Sequence, residues 1–317
     1  SSYDSEMEQL DTMSQAVGKA VSEKMDVYFN LLEITSRMLT SPVGVTPDDV
    51  YEYKRNLLIQ LLNQTKLVEA YYAFDTGETH NNKGVINNFN AKSLGREWFT
   101  RMFNGEKRVV TTPYTSSIGA TVMAVGVPLM EGGKLAGTLC INLGLTDITN
   151  FTNHVLDFDN IYLTRPDGYI MANRDDKRIG KSLWETIPDL KKYSDLQKNS
   201  RIQFTHNGKA YEGSLYIIAG LGWKVWTYKP LEEIQADSTA NLRTSAITAV
   251  VALVLSALMV HLLVSVLIFK PLGKGVVFAA AVAEGNLDET LDIRSRDEVG
   301  TLADALRNMV ARLKEMI

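Results

Sequence analysis

Residues 245–269 of this 317-residue chain read SAITAVVALVLSALMVHLLVSVLIF and contain no aspartate, glutamate, lysine or arginine. As a helix, this stretch would be roughly 37 Å long, enough to cross a hydrocarbon core of about 30 Å with some tilt. Helices in the core of soluble proteins are usually interrupted by polar residues well before this length. The stretch therefore predicts a membrane-spanning helix, with Arg243 and Lys270 placed to reach the headgroups at its two ends.

Composition argues against several other classes of protein. The net charge is −4 and the basic residues are dispersed, so no basic stripe for nucleic acid is present. Cys140 is the only cysteine and the four histidines are far apart, so we expect no disulfide, no metal site and no cofactor. Neither a G-x-S-x-G nor an H-E-x-x-H motif occurs, which disfavours a membrane-anchored hydrolase. We therefore expect no enzymatic activity.

The region before the apolar stretch begins with helices and continues with strands. Apolar residues recur at steps of three and four over residues 5–40, which predicts one long helix that ends at Ser41-Pro42. A second helix is expected over residues 47–63. Two hydrophobic strands then run into Asp/Gly turns, at Asp75-Thr76-Gly77 and at Asp167-Gly168. Each is followed by a short helix with a tryptophan and by three strands, which predicts a duplicated antiparallel-sheet unit.

The region after the apolar stretch has two amphipathic segments. The first carries Leu272, Val276, Ala279 and Ala283, and Gly285 breaks it. The second begins at Ser295-Arg296-Asp297-Glu298, which fits a capping box. Its apolar residues form a heptad seam that predicts a parallel helical bundle in a homodimer, namely Val299, Leu302, Leu306, Met309, Leu313 and Met316.

The proline at the end of the apolar stretch, Gly285 and the run Asp297-Glu298-Val299-Gly300 resemble the HAMP linker family over residues 270–317. HAMP modules are cytoplasmic in their known settings. The resemblance therefore implies a cytoplasmic relay module and an extracytoplasmic region before the membrane helix.

Three motifs of the first region resemble the double Cache family of bacterial extracytoplasmic sensors. They are Gly95-Arg96-Glu97-Trp98-Phe99, Thr112-Pro113-Tyr114 and Gly137-Thr138-Leu139-Cys140-Ile141-Asn142. The resemblance implies an α+β fold in which a long N-terminal helix backs two tandem PAS-like antiparallel-sheet units, followed by the transmembrane helix and the HAMP parallel helical module. The predicted segments are 1–64 for the two helices, 65–157 for the membrane-distal unit, 158–231 for the membrane-proximal unit, 232–244 for a linker, 245–269 for the transmembrane helix and 270–317 for HAMP.

In this family the membrane-distal unit holds a small ligand between its sheet and the covering loops. The resemblance implies that Arg96 presents its guanidinium to a carboxylate and that Trp98, Phe99 and Tyr114 wall the pocket. Tyr72 and Asp75 are further candidates. Asn142 stands where the amino-acid-binding branch of the family has an aspartate for the ligand's ammonium group. This departure favours a small organic acid, with an amino acid as the second possibility.

The same resemblance implies a receptor in the cell inner membrane, with a first membrane helix upstream of this chain. A methyl-accepting chemotaxis protein is the first interpretation, because the Ala-rich first relay helix and the end of the second one resemble that class. A histidine kinase or a diguanylate cyclase with the same front end is the alternative. We expect a homodimer in contact with membrane lipid, and a downstream cytoplasmic signalling domain with kinase partners. Recognition of a ligand-loaded binding protein, instead of a free metabolite, remains open.

Overall fold

The computed structural model describes residues 2–152 and 160–315. The chain divides into two compact units, residues 1–238 and residues 239–317. The boundary predicted at residues 157 and 158 lies outside the described residues, as does Met316 of the predicted heptad seam.

The long N-terminal helix is confirmed as α1 (Ser2–Thr40). Its buried side chains follow the predicted steps of three and four, and Leu10, Val17 and Leu32 are almost fully buried. The helix packs against strands of both sheets described below. A 3-10 turn (Pro47–Asp49) and α2 (Val50–Thr65) follow, and Lys66 ends α2 in a left-handed conformation, with φ at 63°.

The first sheet has seven strands, and all of its pairings are antiparallel. The strands are β1 (Ala70–Phe74), β2 (Glu78–Asn81), β3 (Gly84–Asn90), β4 (Val109–Val110), β5 (Tyr114–Thr115), β6 (Thr121–Glu131) and β7 (Lys134–Gly144). Their order is β3-β2-β1-β7-β6-β4, with β5 paired to β6. Helix α3 (Glu97–Phe103) separates β3 from β4, and α4 (Leu145–Thr152) follows β7.

The second sheet repeats this order with five strands. The strands are β8 (Ile161–Thr164), β9 (Ile170–Ala172), β10 (Ser200–His206), β11 (Lys209–Ile217) and β12 (Lys224–Pro230), with α5 (Leu183–Thr186) before β10. The order β9-β8-β12-β11-β10 matches β2-β1-β7-β6-β4 strand for strand. The predicted duplication of an antiparallel-sheet unit is therefore confirmed, and the first copy carries the extra strands β3 and β5.

Strand alternation divides the side chains of β1 between two cores. Tyr72 belongs to a large apolar cluster with α1 and α2, whereas Tyr71 and Ala73 belong to a smaller cluster with α3. Because successive side chains of a strand point to opposite faces, α1 and α2 cover one face of the first sheet and α3 covers part of the other. The second face is the one that carries the cavity described below.

One continuous helical stretch contains the apolar segment. It consists of α6 (Leu231–Val264), a π-helical turn (Ser265–Phe269) and α7 (Lys270–Ala283). Its part Arg243–Ala283 is long and apolar enough to cross a membrane, and none of its most apolar window is buried. Residues 232–244, predicted as a linker, are helical in α6. The π turn has a local cause: Pro271 has no N–H for the carbonyl of Leu267, and the preceding Lys270 N–H bonds to Ser265, five residues back.

The last segment pairs α7 with α8 (Glu298–Glu315). Phe278 of α7 packs with Ala303 and Val310 of α8 and with two residues of the connector, Leu291 and Ile293. The predicted Ser295–Glu298 capping box is not the observed cap. Asp297 is the N-cap instead, because its short carboxylate accepts bonds from the N–H groups of Val299 (3.0 Å) and Gly300 (3.1 Å). A hydrogen bond from Ser295 and the one from Gly300 lower the pKa of Asp297.

Candidate ligand-binding site

A cavity of about 280 Å³ lies on the α3 face of the first sheet. It is lined by Glu69, Tyr71, Thr79, Ile86, Phe89, Arg96, Trp98, Tyr114, Thr115, Ser116, Ser117 and Asn142. A turn at Gly95 positions the start of α3 beside the cavity. Gly95 has a φ of 57°, a left-handed conformation that favours glycine, and the N–H of Arg96 then bonds to the carbonyl of Ala91 (3.0 Å). The turn places Arg96 as the N-cap of α3, directly beside the cavity.

Arg96 carries the unpaired positive charge of the site. Its guanidinium carbon lies 5.2 Å from the ring centroid of Phe89, and its Nε atom is buried without a hydrogen-bond partner. Within the described residues, Arg96 forms no ion pair with a carboxylate. A buried N–H of a cation without an acceptor is unfavourable, so an anionic group bound in the cavity could stabilise the site by accepting a hydrogen bond from Arg96.

Asn142 is the centre of a polar network on the wall of the cavity. Its Oδ1 atom accepts hydrogen bonds from the hydroxyls of Tyr71 (2.9 Å) and Tyr114 (2.6 Å). Its Nδ2 atom donates to Oε2 of Glu69 (2.6 Å), and Ser117 donates to the other oxygen of Glu69 (2.5 Å). The amide orientation is therefore fixed from both ends, and the carboxylate of Glu69 faces the same cavity as Arg96.

The two tyrosines stay protonated in this environment. Burial raises the pKa of Tyr114, Glu69 acts in the same direction and Arg96 opposes it. Burial also raises the pKa of Tyr71. Both hydroxyls are therefore neutral hydrogen-bond donors at physiological pH, and the hydroxyl of Tyr114 lies within the electrostatic influence of both Glu69 and Arg96.

Four of the seven residues predicted for the site line the cavity: Arg96, Trp98, Tyr114 and Asn142. The other three do not. Phe99 is buried behind it and stacks on Phe103, with ring centroids 4.4 Å apart. Tyr72 lies on the opposite face of β1, stacked on His80 at 5.1 Å, and Asp75 is exposed in the β1–β2 turn.

The sequence interpretation missed several residues that line the cavity, above all Glu69, Tyr71 and Phe89. Tyr71 follows from strand alternation once the face of β1 that meets α3 is known. Glu69 reaches Asn142 only because β1 pairs with β7, and the N–H of Asn142 bonds to the Glu69 carbonyl (3.0 Å). No local sequence motif predicts a contact between residues so far apart in sequence.

Comparison with known proteins adds two family matches and a set of relatives. Residues 1–238 match the Cache domain and residues 279–315 match the HAMP domain. The methyl-accepting chemotaxis protein McpA of Bacillus subtilis is 25% identical to the chain, over 99% of the chain and 46% of the relative. The methyl-accepting chemotaxis protein PctB of Pseudomonas aeruginosa is 28% identical, over 70% of the chain and 36% of the relative. The chain thus spans less than half the length of these relatives.

Solved sensor domains have the same fold. The sensory domain of the Campylobacter jejuni chemoreceptor Tlp3 with isoleucine bound superposes with a TM-score of 0.62 and 13% identity, over 74% of this chain and 96% of that one. The ligand-binding domain of Pseudomonas aeruginosa PctB in complex with L-Arg gives 0.58 and 19% identity, over 73% and 97%. At these identities the likeness establishes the fold.

Proposed function

We propose that this chain, which belongs to the Cache domain family and carries a HAMP domain, is the sensing and relay part of a methyl-accepting chemotaxis receptor. The named relatives support this class over a histidine kinase or a diguanylate cyclase. The apolar helix separates the Cache region from the HAMP region, so a signal passes between them as helix displacement. In this proposal the receptor lies in the inner membrane, with the Cache region outside and HAMP in the cytoplasm.

The ligand we propose is an α-amino acid. The observation that carries this choice is that one cavity contains both the unpaired guanidinium of Arg96 and the carboxylate of Glu69. Arg96 would bind the ligand's carboxylate through paired hydrogen bonds, and Glu69 would accept from its ammonium group. The sequence pattern favours an organic acid, because Asn142 replaces an expected aspartate, but in the structure Glu69 supplies a negative charge next to that amide.

Thermal-shift measurements on the 317-residue chain in lipid nanodiscs test the proposal. The panel compares L-amino acids with matched carboxylic acids that lack the amine and matched amines that lack the carboxylate. An amino acid at about 100 times its dissociation constant should stabilise the sensor by roughly 2.7 kcal/mol, and the truncated analogues should be far weaker. A carboxylic acid that binds as tightly as its amino-acid counterpart would contradict the role of Glu69.

Two substitutions distinguish the roles of the two charged side chains. Arg96→Gln should weaken every ligand that has a carboxylate, whereas Glu69→Gln should weaken only ligands that also have an ammonium group. Glu78→Gln is the matched control, because Glu78 is an exposed carboxylate on β2 that contacts His80 and does not line the cavity. If Arg96→Gln responds normally while purified binding proteins bind the receptor, indirect recognition through a ligand-loaded binding protein replaces our proposal.

We also propose that the HAMP region forms a homodimer. Leu272, Val276, Leu302 and Met309 of α7 and α8 are exposed in the single chain. They belong to the apolar seams predicted from the sequence, and a second copy would cover them in a four-helix bundle. Cysteine placed at Leu302 should form an intermolecular disulfide in membranes, whereas cysteine at the exposed Glu315 serves as the control for random collision. Equal cross-linking of the two variants would refute this arrangement.

A further inference from the structure

An arginine that follows the first strand of the second sheet contacts the first sheet unit close to the ligand cavity. Arg165 stands at the end of β8, and its Nη1 atom donates a hydrogen bond to the carbonyl oxygen of Thr111 (2.9 Å). Its side chain is only 14% exposed. Thr111 is fully buried and lies in the segment between β4 and β5, three residues before Tyr114.

Helix α3 holds the same segment from the other side. Glu97 of α3 accepts hydrogen bonds from the backbone N–H (3.0 Å) and the hydroxyl of Thr112, and Arg101 donates to the carbonyl of Val110 (2.9 Å). In residues 110–112, the first and third residues are therefore hydrogen-bonded to α3, and the middle one is hydrogen-bonded to Arg165. Because Arg96 and Trp98 belong to the start of α3, and Tyr114 follows the segment, a shift of 110–112 moves three residues that line the cavity.

The turn that carries Arg165 is closed by two backbone hydrogen bonds and is tightly packed. The N–H of Gly168 bonds to the Arg165 carbonyl (3.0 Å), and the N–H of Arg165 bonds to the carbonyl of Tyr169 (3.0 Å). Gly168 has a φ of 86°, and a Cβ placed on it would lie 2.3 Å from the ring of Trp184. Because these bonds and the packing against Trp184 hold the turn, we expect a displacement of the Arg165 guanidinium to be passed to β8.

From β8 the connection continues to α6. Thr164, next to Arg165, pairs with Lys224 of β12, and its hydroxyl accepts a bond from Nε1 of Trp226 (2.9 Å). Strand β12 ends at Pro230 and α6 begins at the next residue, Leu231. Elsewhere the two sheet units share a buried apolar core, to which Leu143 and Leu163 both belong, and they border a cavity of about 260 Å³ that is lined in part by Val110 and Trp223.

We propose that Arg165 is a positioning residue for the ligand site and the contact through which occupancy of that site reaches β12 and α6. The positioning role depends only on the contacts above, whereas the signalling role rests on the proposed function. Any ligand that changes the position of α3 changes the position of residues 110–112, and Arg165 carries that change into the second sheet. By linkage, loss of Arg165 alters ligand affinity as well as transmission.

Hydrogen–deuterium exchange on the 317-residue chain in nanodiscs tests this inference without a ligand. Arg165→Gln should speed amide exchange in residues 97–103 and 110–115 about fivefold to tenfold, as expected for loss of a hydrogen bond that orders them. Asp167→Asn is the matched control, because it removes the negative charge that pairs with Arg165 within its own turn (3.4 Å) and leaves the bond from Arg165 to Thr111. Faster exchange confined to residues 161–172 would mean that Arg165 only stabilises its own turn and would overturn the inference.

A second arm adds a mixture of the twenty L-amino acids at a total concentration that stabilises the wild type. In the wild type, exchange should slow in residues 97–103 and also in β8 and β12. In Arg165→Gln, the slowing should persist in residues 97–103 and disappear from β8 and β12. Slower amide exchange of β8 and β12 in the variant would overturn the signalling role of Arg165. Unchanged exchange of residues 97–103 in the wild type would refute the amino-acid ligand. In that case the first arm still decides the positioning role.

Discussion

Replacing Gly137 by alanine should disturb both the stability of the sensor and its ligand site. Gly137 lies opposite Phe74 where β7 pairs with β1. A Cβ at this position would lie 2.1 Å from the carbonyl oxygen of Ala73 and 3.3 Å from the Cα of Phe74. Both atoms belong to the backbone, so relief requires the strands to separate by about 1 Å, since carbon atoms pack at roughly 3.5–4.0 Å.

The expected cost is about 1–3 kcal/mol, as for other overpacked cores, and it corresponds to a loss of about 2–12 °C in melting temperature for a domain of this size. The same separation should weaken the bond between Tyr71 of β1 and Asn142 of β7, so ligand affinity should fall as well. Melting curves of the 317-residue chain with and without an amino-acid mixture measure both effects.

The control for this substitution is Gly273→Ala in α7, where no atom lies within 4 Å of the added carbon. It should leave the melting temperature of the sensor unchanged. A Gly137→Ala protein that melts within about 1 °C of the wild type would refute the reasoning, because it would mean that the two strands tolerate a side chain between them.

Three further predictions concern single groups. Asn142→Asp places a second carboxylate beside Glu69, so one of the two should titrate with a raised pKa and amino-acid affinity should become pH-dependent near neutrality, as calorimetry would detect. Burial opposes ionisation of Glu97, but hydrogen bonds from Thr112 and Arg101 outweigh it and lower its pKa. Its contribution to stability is therefore present above the unfolded pKa of about 4.3 and is lost as the pH falls through the folded pKa, and Glu97→Gln should flatten this part of the melting-temperature profile. Burial raises the pKa of the Cys140 thiol to about 12, so iodoacetamide at pH 8 should label it only after unfolding, and rapid labelling of the native chain would contradict the buried position.

Much of the architecture was predictable from the sequence, because its signals are local. The periodicity of α1 and the order of strands around two Asp/Gly turns are properties of short windows, and they gave the long helix and the duplicated sheets. The uncharged stretch 245–269 likewise predicted the long apolar helix. What local patterns could not provide was the continuity of α6 through residues 232–244, since polar residues in a helix and in a linker have similar composition.

The predicted site residues that line the cavity include two that a motif places near each other in the chain. Arg96 and Trp98 share one turn of α3, and both line the cavity. Tyr72 lies on the face of β1 opposite the cavity and Tyr71 lines it; sequence alone does not distinguish the two, because both faces of that strand are buried. The contact between Glu69 and Asn142 depends on the pairing of β1 with β7, which is a property of the whole sheet.

The π turn at Ser265–Phe269 affects the design of any chimera built from this chain. A π turn accommodates one more residue than the α-helical turn it replaces, so side chains beyond it are rotated by about 100° relative to an uninterrupted helix. A fusion partner joined upstream of Ser265 replaces the π turn, so its helix keeps its own rotational phase. A partner joined after Lys270 follows the π turn, so its helix is rotated by the same angle. Grafts at these two junctions should therefore differ in signalling output even when their sensor and relay sequences are identical.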